Sequence, residues 1–230
     1  MLFIVVPILL ALLIFGPHLW IRRVMRIHGL PVADMPGTGG ELAKHLINRY
    51  ELAGVTVEPT EIGDHYSPAD KAVRLSEDIF HGRSITAIAV AAHEVGHAIQ
   101  YHRQEAITHL RQRYLPVANV VQKLAVGFLM AIPLVVAIFK VPHVALLTAL
   151  MGVAAMLASV LIQFIILPME WDASFNKALP ILVKGDYIRQ DQYDAAHSVL
   201  KAAAFTYVAA ALMDILRLGR WLAILKGTLR

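Results

Sequence analysis

Uncharged apolar stretches alternate along this chain with segments of ordinary polarity. Residues 1–21 contain no Asp, Glu, Lys or Arg, and Arg22, Arg23 and Arg26 follow at once. About 20 mostly apolar residues cross a bilayer core, so 1–21 predicts an N-terminal transmembrane anchor. No basic residue precedes the run and no A-x-A exit follows it, which argues for a retained anchor over a cleaved signal. The basic cluster assigns its C-terminal end to the cytoplasm. Residues 141–169 are a second uncharged run, and 118–139 is apolar apart from Lys123. Lys140, Pro142 and His143 between them predict a tight turn. The stretch 116–169 therefore reads as a transmembrane helical hairpin, with Pro116 in its first helical turn and Pro133 as a kink. Its two ends return to the side that carries Arg22. A last apolar block, 202–213, breaks at Asp214, and 202–225 reads as a fourth transmembrane or interfacial helix.

Two polar segments remain, 22–115 and 170–201. In the first, Leu42, Leu46, Ile47 and Tyr50 repeat at helix spacing over 41–52. Residues 55–57 and 72–76 are short and β-branched or alternating, as strands are. Residues 63–68 read as a turn that stops at Ser67-Pro68. Ser84 can cap a helix over 84–102, with Ile85, Ile88, Ala89, Ala92, Gly96 and Ile99 as its close-packed face. The hairpin brings the ends of both polar segments to one surface, so the soluble part is split in sequence and joined in space.

Composition narrows the class. The 230 residues are 57% hydrophobic and only 17% charged, against about 45–50% and about 25% in soluble domains. There is no Cys, which excludes disulfides, thiolate catalysis and Cys-ligated metals. The net charge of +4 is spread without a basic stripe, so a nucleic-acid partner is not expected. No internal repeat is visible.

The helix over 84–102 carries His93-Glu94-Val95-Gly96-His97, the pattern H-E-x-x-H. Two histidines four apart lie one above the other and can grip one Zn²⁺. Glu94 points about 100° round the helix, where it reaches a water on the metal rather than the metal itself. Catalytic zinc usually takes three protein ligands and one water. On the same helix Glu105 lies about 12 Å along the axis from His97, and His102 is about 7.5 Å along and poorly aligned. No Asp or Glu occurs over 106–169, so the third ligand is expected from beyond the hairpin. Glu170 comes first there. Asp172 is its rival, as a ligand or as a group that orients a zinc-bound imidazole, and His197 is a weaker one.

The chain resembles the bacterial integral-membrane zinc metallopeptidases of the neutral zinc peptidase type, the YugP family. The likeness runs through Asp64-His65-Tyr66, Val73-Arg-Leu-Ser76, Ala92-His-Glu-Val-Gly-His-Ala-Ile-Gln100, Leu167-Pro-Met-Glu-Trp-Asp-Ala-Ser174 and Ala203-Ala-Phe-Thr-Tyr-Val-Ala-Ala-Ala-Leu212. More distantly it is similar to HtpX and CAAX-protease-like membrane gluzincins, which also set a membrane hairpin between the histidine helix and a Glu ligand. Ser67 and Trp171 stand where the family pattern leads us to expect Asp and Phe. Ser174 stands where the wider gluzincin group often has Asp, and Asp172 is then our choice for orienting a histidine. The resemblance implies that His93, His97 and Glu170 hold one zinc per chain and that Glu94 is the general base.

The expected fold class is mainly α: a multi-span helical membrane protein with a small cytoplasmic α+β zincin-like protease domain, split by the transmembrane hairpin. The expected activity is peptide-bond hydrolysis, in which Glu94 takes a proton from water and passes it to the leaving amine. His65, Tyr66, Arg74 and His197 are candidate donors to the oxyanion. Residues 73–76 are the expected edge strand for an extended substrate. The expected partners are the lipid bilayer and a peptide or membrane-protein substrate, at the bacterial plasma membrane with the site facing the cytoplasm. Oligomerisation is not predicted. The competing readings are a catalytically silent scaffold of the same fold, a transporter, and a zinc hydrolase acting on a lipid or another amide.

Overall fold

The computed structural model describes residues 2–139, 142–209 and 212. Among the described residues the chain is mainly helical with one small sheet. Its elements run α1 (Leu2–Ile27), α2 (Gly39–Arg49), β1 (Thr56–Thr60), β2 (His65–Ser67), β3 (Ala72–Ser76), α3 (Glu77–Phe80), α4 (Ile85–His102), α5 (Thr108–Phe139) and α6 (Pro142–Trp171). A π-helical segment (Asp172–Ala178), α7 (Leu179–Lys184), a 3₁₀ turn (Gln190–Gln192) and α8 (Tyr193–Ala204) follow. Two compact units share the chain. One comprises 1–18, 110–167 and 207–230, and the other 19–109 and 168–206.

Helix α5 begins at Thr108, so Pro116 lies inside the helix rather than in its first turn. Of the tight turn expected at Lys140, Pro142 and His143, Lys140 lies outside the described residues with residue 141, while Pro142 and His143 open α6. Most of the fourth apolar block also lies outside the described residues. Of 202–225, residues 202–204 complete α8, and helix resumes at 206–209 after Phe205. Among the described residues one helix, counted through the π turn as Leu150–Lys184, is long and apolar enough to cross a membrane.

The second unit is built round α4. Ser84 caps it as its sequence suggests: the Oγ accepts the Ala87 N–H at 3.1 Å. The predicted face was one stripe, yet every residue from Ile85 to Gln100 is buried. A helix that is small and apolar on all sides is wrapped rather than laid on a surface. Here α2, α3 and the sheet pack against it, and so do the π segment and α8. Helix α2 starts from a capping box. Thr38 Oγ1 accepts the Glu41 N–H, and Glu41 Oε2 accepts the Thr38 N–H, which satisfies two donors that a helix start leaves open.

The sheet order is β1-β3-β2, with β1 parallel and β2 antiparallel to β3. Two sequence readings change here. Residues 65–67, read as part of a turn, form a strand: three residues are too few to show an alternation, but they find partners in Ala72–Arg74. Strand β3, chosen as the free edge, is the central strand. Its backbone is committed to both neighbours, so it is closed to a substrate strand at Ala72–Arg74, and the exposed edges belong to β1 and β2.

Candidate metal centre

Glu170 sits in the last turn of α6, just before the helix changes pitch. Over Asp172–Ala178 the backbone follows a π-helix, in which each hydrogen bond spans one more residue than in an α-helix. Helix α6 runs on through Trp171 and then widens. The widened segment lies along α4 at very close range. A Cβ added to Gly96 would meet the Ala173 carbonyl oxygen at 2.8 Å, so only glycine lets the two backbones touch there. Gly96→Ala is expected to force them apart and cost about 1–3 kcal/mol, the usual penalty of overpacking. Thermal unfolding should show this as a fall of several degrees. An unchanged midpoint would mean that the contact does not pin the π segment.

That approach brings three ligand atoms together. His93 Nε2 and His97 Nε2 are 3.2 Å apart, and Glu170 Oε2 lies 3.1 Å from the second and 3.4 Å from the first. The three side chains are 4%, 1% and 1% exposed, and they group as a potential metal-binding set. A tetrahedral zinc with ligands at about 2.0–2.1 Å separates them by about 3.3–3.4 Å, so the triangle has the edge lengths of one tetrahedral face.

The surrounding hydrogen bonds settle the tautomers. Gln100 Nε2 faces the Met169 carbonyl at 3.0 Å and Asp172 Oδ2 at 2.8 Å. A carbonyl can only accept, so this end of the amide is the NH₂. Gln100 Oε1 is thereby turned to His97 Nδ1 at 2.9 Å, and that nitrogen must donate. Likewise Ser174 Oγ donates to the Leu200 carbonyl at 3.1 Å and so accepts from His93 Nδ1 at 2.9 Å. With Nδ1 donating, each imidazole in its neutral form presents an Nε2 lone pair to a carboxylate oxygen. Three acceptors at this spacing repel one another unless a proton or a metal cation lies among them. Glu170 Oε1 is also buried without a hydrogen-bond partner among the described residues. Orphaned carboxylate oxygen and converging lone pairs fit a divalent metal of the imidazole- and carboxylate-binding kind.

Outer partners tie this set to the rest of the unit. Asp172 accepts from Gln100, and it also takes Lys177 Nζ, which in turn pairs with Glu105 Oε2 at 2.8 Å. Asp172 therefore orients His97 only through Gln100, and Ser174 is the residue that holds His93. The sequence reading missed Gln100, although its place three residues after His97 on one helix face was a usable signal. Such partners fix ring orientation, and losing one typically costs about 10–100-fold in metal affinity. Glu94 is 6% exposed, and its carboxylate has no hydrogen-bond partner among the described residues.

The structure does not bring the other candidates to the triangle by any contact among the described residues. Arg74 is held by Glu58 and Asp70, each at 2.9 Å. Asp70 is in turn kept below the ordinary carboxylate range, first by the Ser67 hydroxyl and then by Arg74. The His65 ring donates through Nδ1 to the Gly63 carbonyl at 2.8 Å. His197 packs against the rings of Phe175 and Tyr193. Tyr66 packs against Tyr101, and burial pushes its phenol upward.

A glutamate set against the two histidines of a wrapped H-E-x-x-H helix is a donor set that fits zinc. Residues 1–226 match the family described as "putative neutral zinc metallopeptidase", and the chain belongs to that family. It is 34% identical over 226 residues to a Bacillus subtilis protein named "putative membrane protease YugP", covering 97% of this chain and 96% of the relative. No solved structure matches it significantly.

Proposed function

We propose that this chain is a zinc-dependent membrane endopeptidase of gluzincin type, with His93, His97 and Glu170 as metal ligands and Glu94 as general base. The observation that carries the reading is the acceptor triangle: two imidazoles, whose Nδ1 atoms are held by Gln100 and Ser174 so that Nε2 faces the site, beside a buried carboxylate. A bound zinc would supply a Lewis acid for the scissile carbonyl and a water acidic enough to be deprotonated near neutral pH. Glu94 is the group without another task. Its carboxylate takes the proton of the attacking water and delivers it to the amine that leaves. His93 and His97 offer their Nε2 atoms to the metal, oriented by Ser174 and Gln100. His65, Arg74 and His197 remain the proposed donors to the oxyanion; of these, Arg74 would first have to leave Glu58 and Asp70. With β3 interior, β2 is the edge to which an extended substrate would add, next to α4.

The membrane reading rests on the uncharged runs 1–21 and 141–169 and on the arginines that follow the first. It makes the protein multi-pass in a bacterial plasma membrane, with the site on the cytoplasmic face and peptides or membrane proteins as substrates. The test is purification in a neutral detergent, metal analysis and hydrolysis of an unstructured protein substrate. One zinc per chain is expected, with activity lost on chelation and recovered when zinc is returned. Stoichiometric zinc with no peptide-bond cleavage would favour the silent scaffold, or a hydrolase of lipids or other amides.

A further inference from the structure

The second unit contains a groove of about 970 Å³ outside the metal centre. This is at the large end for sites that enclose small ligands. Its apolar wall includes Leu19, Met25 and Ile79, and Arg22, Arg23, Arg26 and Arg83 stand around it. All four arginines are exposed, and among the described residues none has an ion pair or a side-chain hydrogen bond. The carboxylates lining the groove are Asp64 and Asp78. Asp64 Oδ1 is already engaged by the Ser76 N–H at 2.7 Å and the Ser76 hydroxyl at 2.9 Å. Four guanidiniums against two carboxylates leave an excess of positive charge.

Position links the groove to the chemistry. Thr86 and Val90 line it, and they share one face of α4 with Glu94 at successive spacings of four. Val90 is about 6 Å and Ser84, another lining residue, about 15 Å along the helix axis from Glu94. An extended peptide advances about 3.3 Å per residue, so this wall spans about two to five residues from a bond held at Glu94. Planar guanidiniums pair well with carboxylates, and the apolar wall accommodates the side chains between them.

We propose that this groove is a substrate subsite for an acidic stretch of polypeptide, with Arg26 and Arg83 as specificity-determining residues. The proposal rests on the peptidase reading and names the class of substrate for it.

Binding separates the two claims. Zinc-loaded Glu94→Gln protein in neutral-detergent micelles is titrated with paired dye-labelled peptides of about a dozen residues. The pairs differ only in carrying Asp and Glu or Asn and Gln. The acidic partner is expected to bind about tenfold more tightly at low ionic strength. The advantage should shrink at about 1 M salt, where screening reaches only about 3 Å, and it should vanish in Arg26→Gln/Arg83→Gln. The milder single variants Arg26→Lys and Arg83→Lys keep the charge and should keep part of it. Equal binding of the two peptides, or a preference that survives the double Gln variant, overturns the proposal. So does a result in which the arginines matter only when phosphatidylglycerol is added, since the groove then takes a lipid headgroup. If the preference holds but the wild type cleaves no peptide, the acidic-segment site stands and the peptidase reading falls.

Discussion

Glu94→Gln is expected to leave one zinc per chain and to reduce peptide hydrolysis about a thousandfold. The substitution preserves shape and removes the ability to accept a proton. General base catalysis is worth about 10²–10⁴-fold, and a buried carboxylate that no described hydrogen bond engages has no structural duty to lose. The metal ligands should not notice the change, because neither His93 nor His97 is hydrogen-bonded to Glu94; their Nδ1 atoms go to Ser174 and Gln100. Metal analysis beside single-turnover kinetics checks both halves. Retention of more than about a tenth of the wild-type rate would remove Glu94 from the mechanism.

Glu170→Ala should do the reverse and empty the site. It deletes the one anionic ligand, leaving two neutral imidazoles on one helix. The affinity loss should exceed the roughly 10–100-fold that follows loss of an outer partner. Asp172 cannot take its place, since Gln100 and Lys177 hold its carboxylate. Asp172→Ala is the comparison: it frees Gln100 on one side but leaves the Met169 carbonyl to fix the amide, so zinc should be weakened and not lost. Competition against a chelator of known affinity measures both variants. Equal zinc affinity in Glu170→Ala and wild type would mean that the third ligand lies elsewhere.

How much of this could be read from the sequence differed by element, for physical reasons. The H-E-x-x-H helix was plain because its signals are local: a serine cap, then alanines and a glycine at packing positions. Strand β3 was legible as a strand from five residues. Its central place was not, because pairing with β1 and β2 is decided across the chain and leaves no mark in residues 72–76. Strand β2 was hidden by its length and by Pro68. Glu170 stood out by elimination along an acid-free stretch, and the structure does place it against both histidines. The roles of Ser174 and Asp172 divide differently from the expectation because a serine at the position where Asp was expected was not counted as a partner for an imidazole. Ser174 faces His93, and Asp172 faces Gln100.

The wider turn of the π segment has a consequence for how the protein tolerates change in length. One additional residue per hydrogen-bonded ring shifts angular phase by about 100° relative to an α-helix. Spread over Asp172–Ala178, that widening takes up about one residue, so the carboxylate at 170 and the buried Leu179, Ile181 and Leu182 of α7 keep the phase of an α-helix one residue shorter. Deleting a single residue from 172–178 would let the backbone return to ordinary pitch with both flanks still in phase. What it would remove is the widened turn that sets Asp172 against Gln100 and Ser174 against His93. A one-residue insertion finds no such slack and would rotate one flank against the other by about 100°.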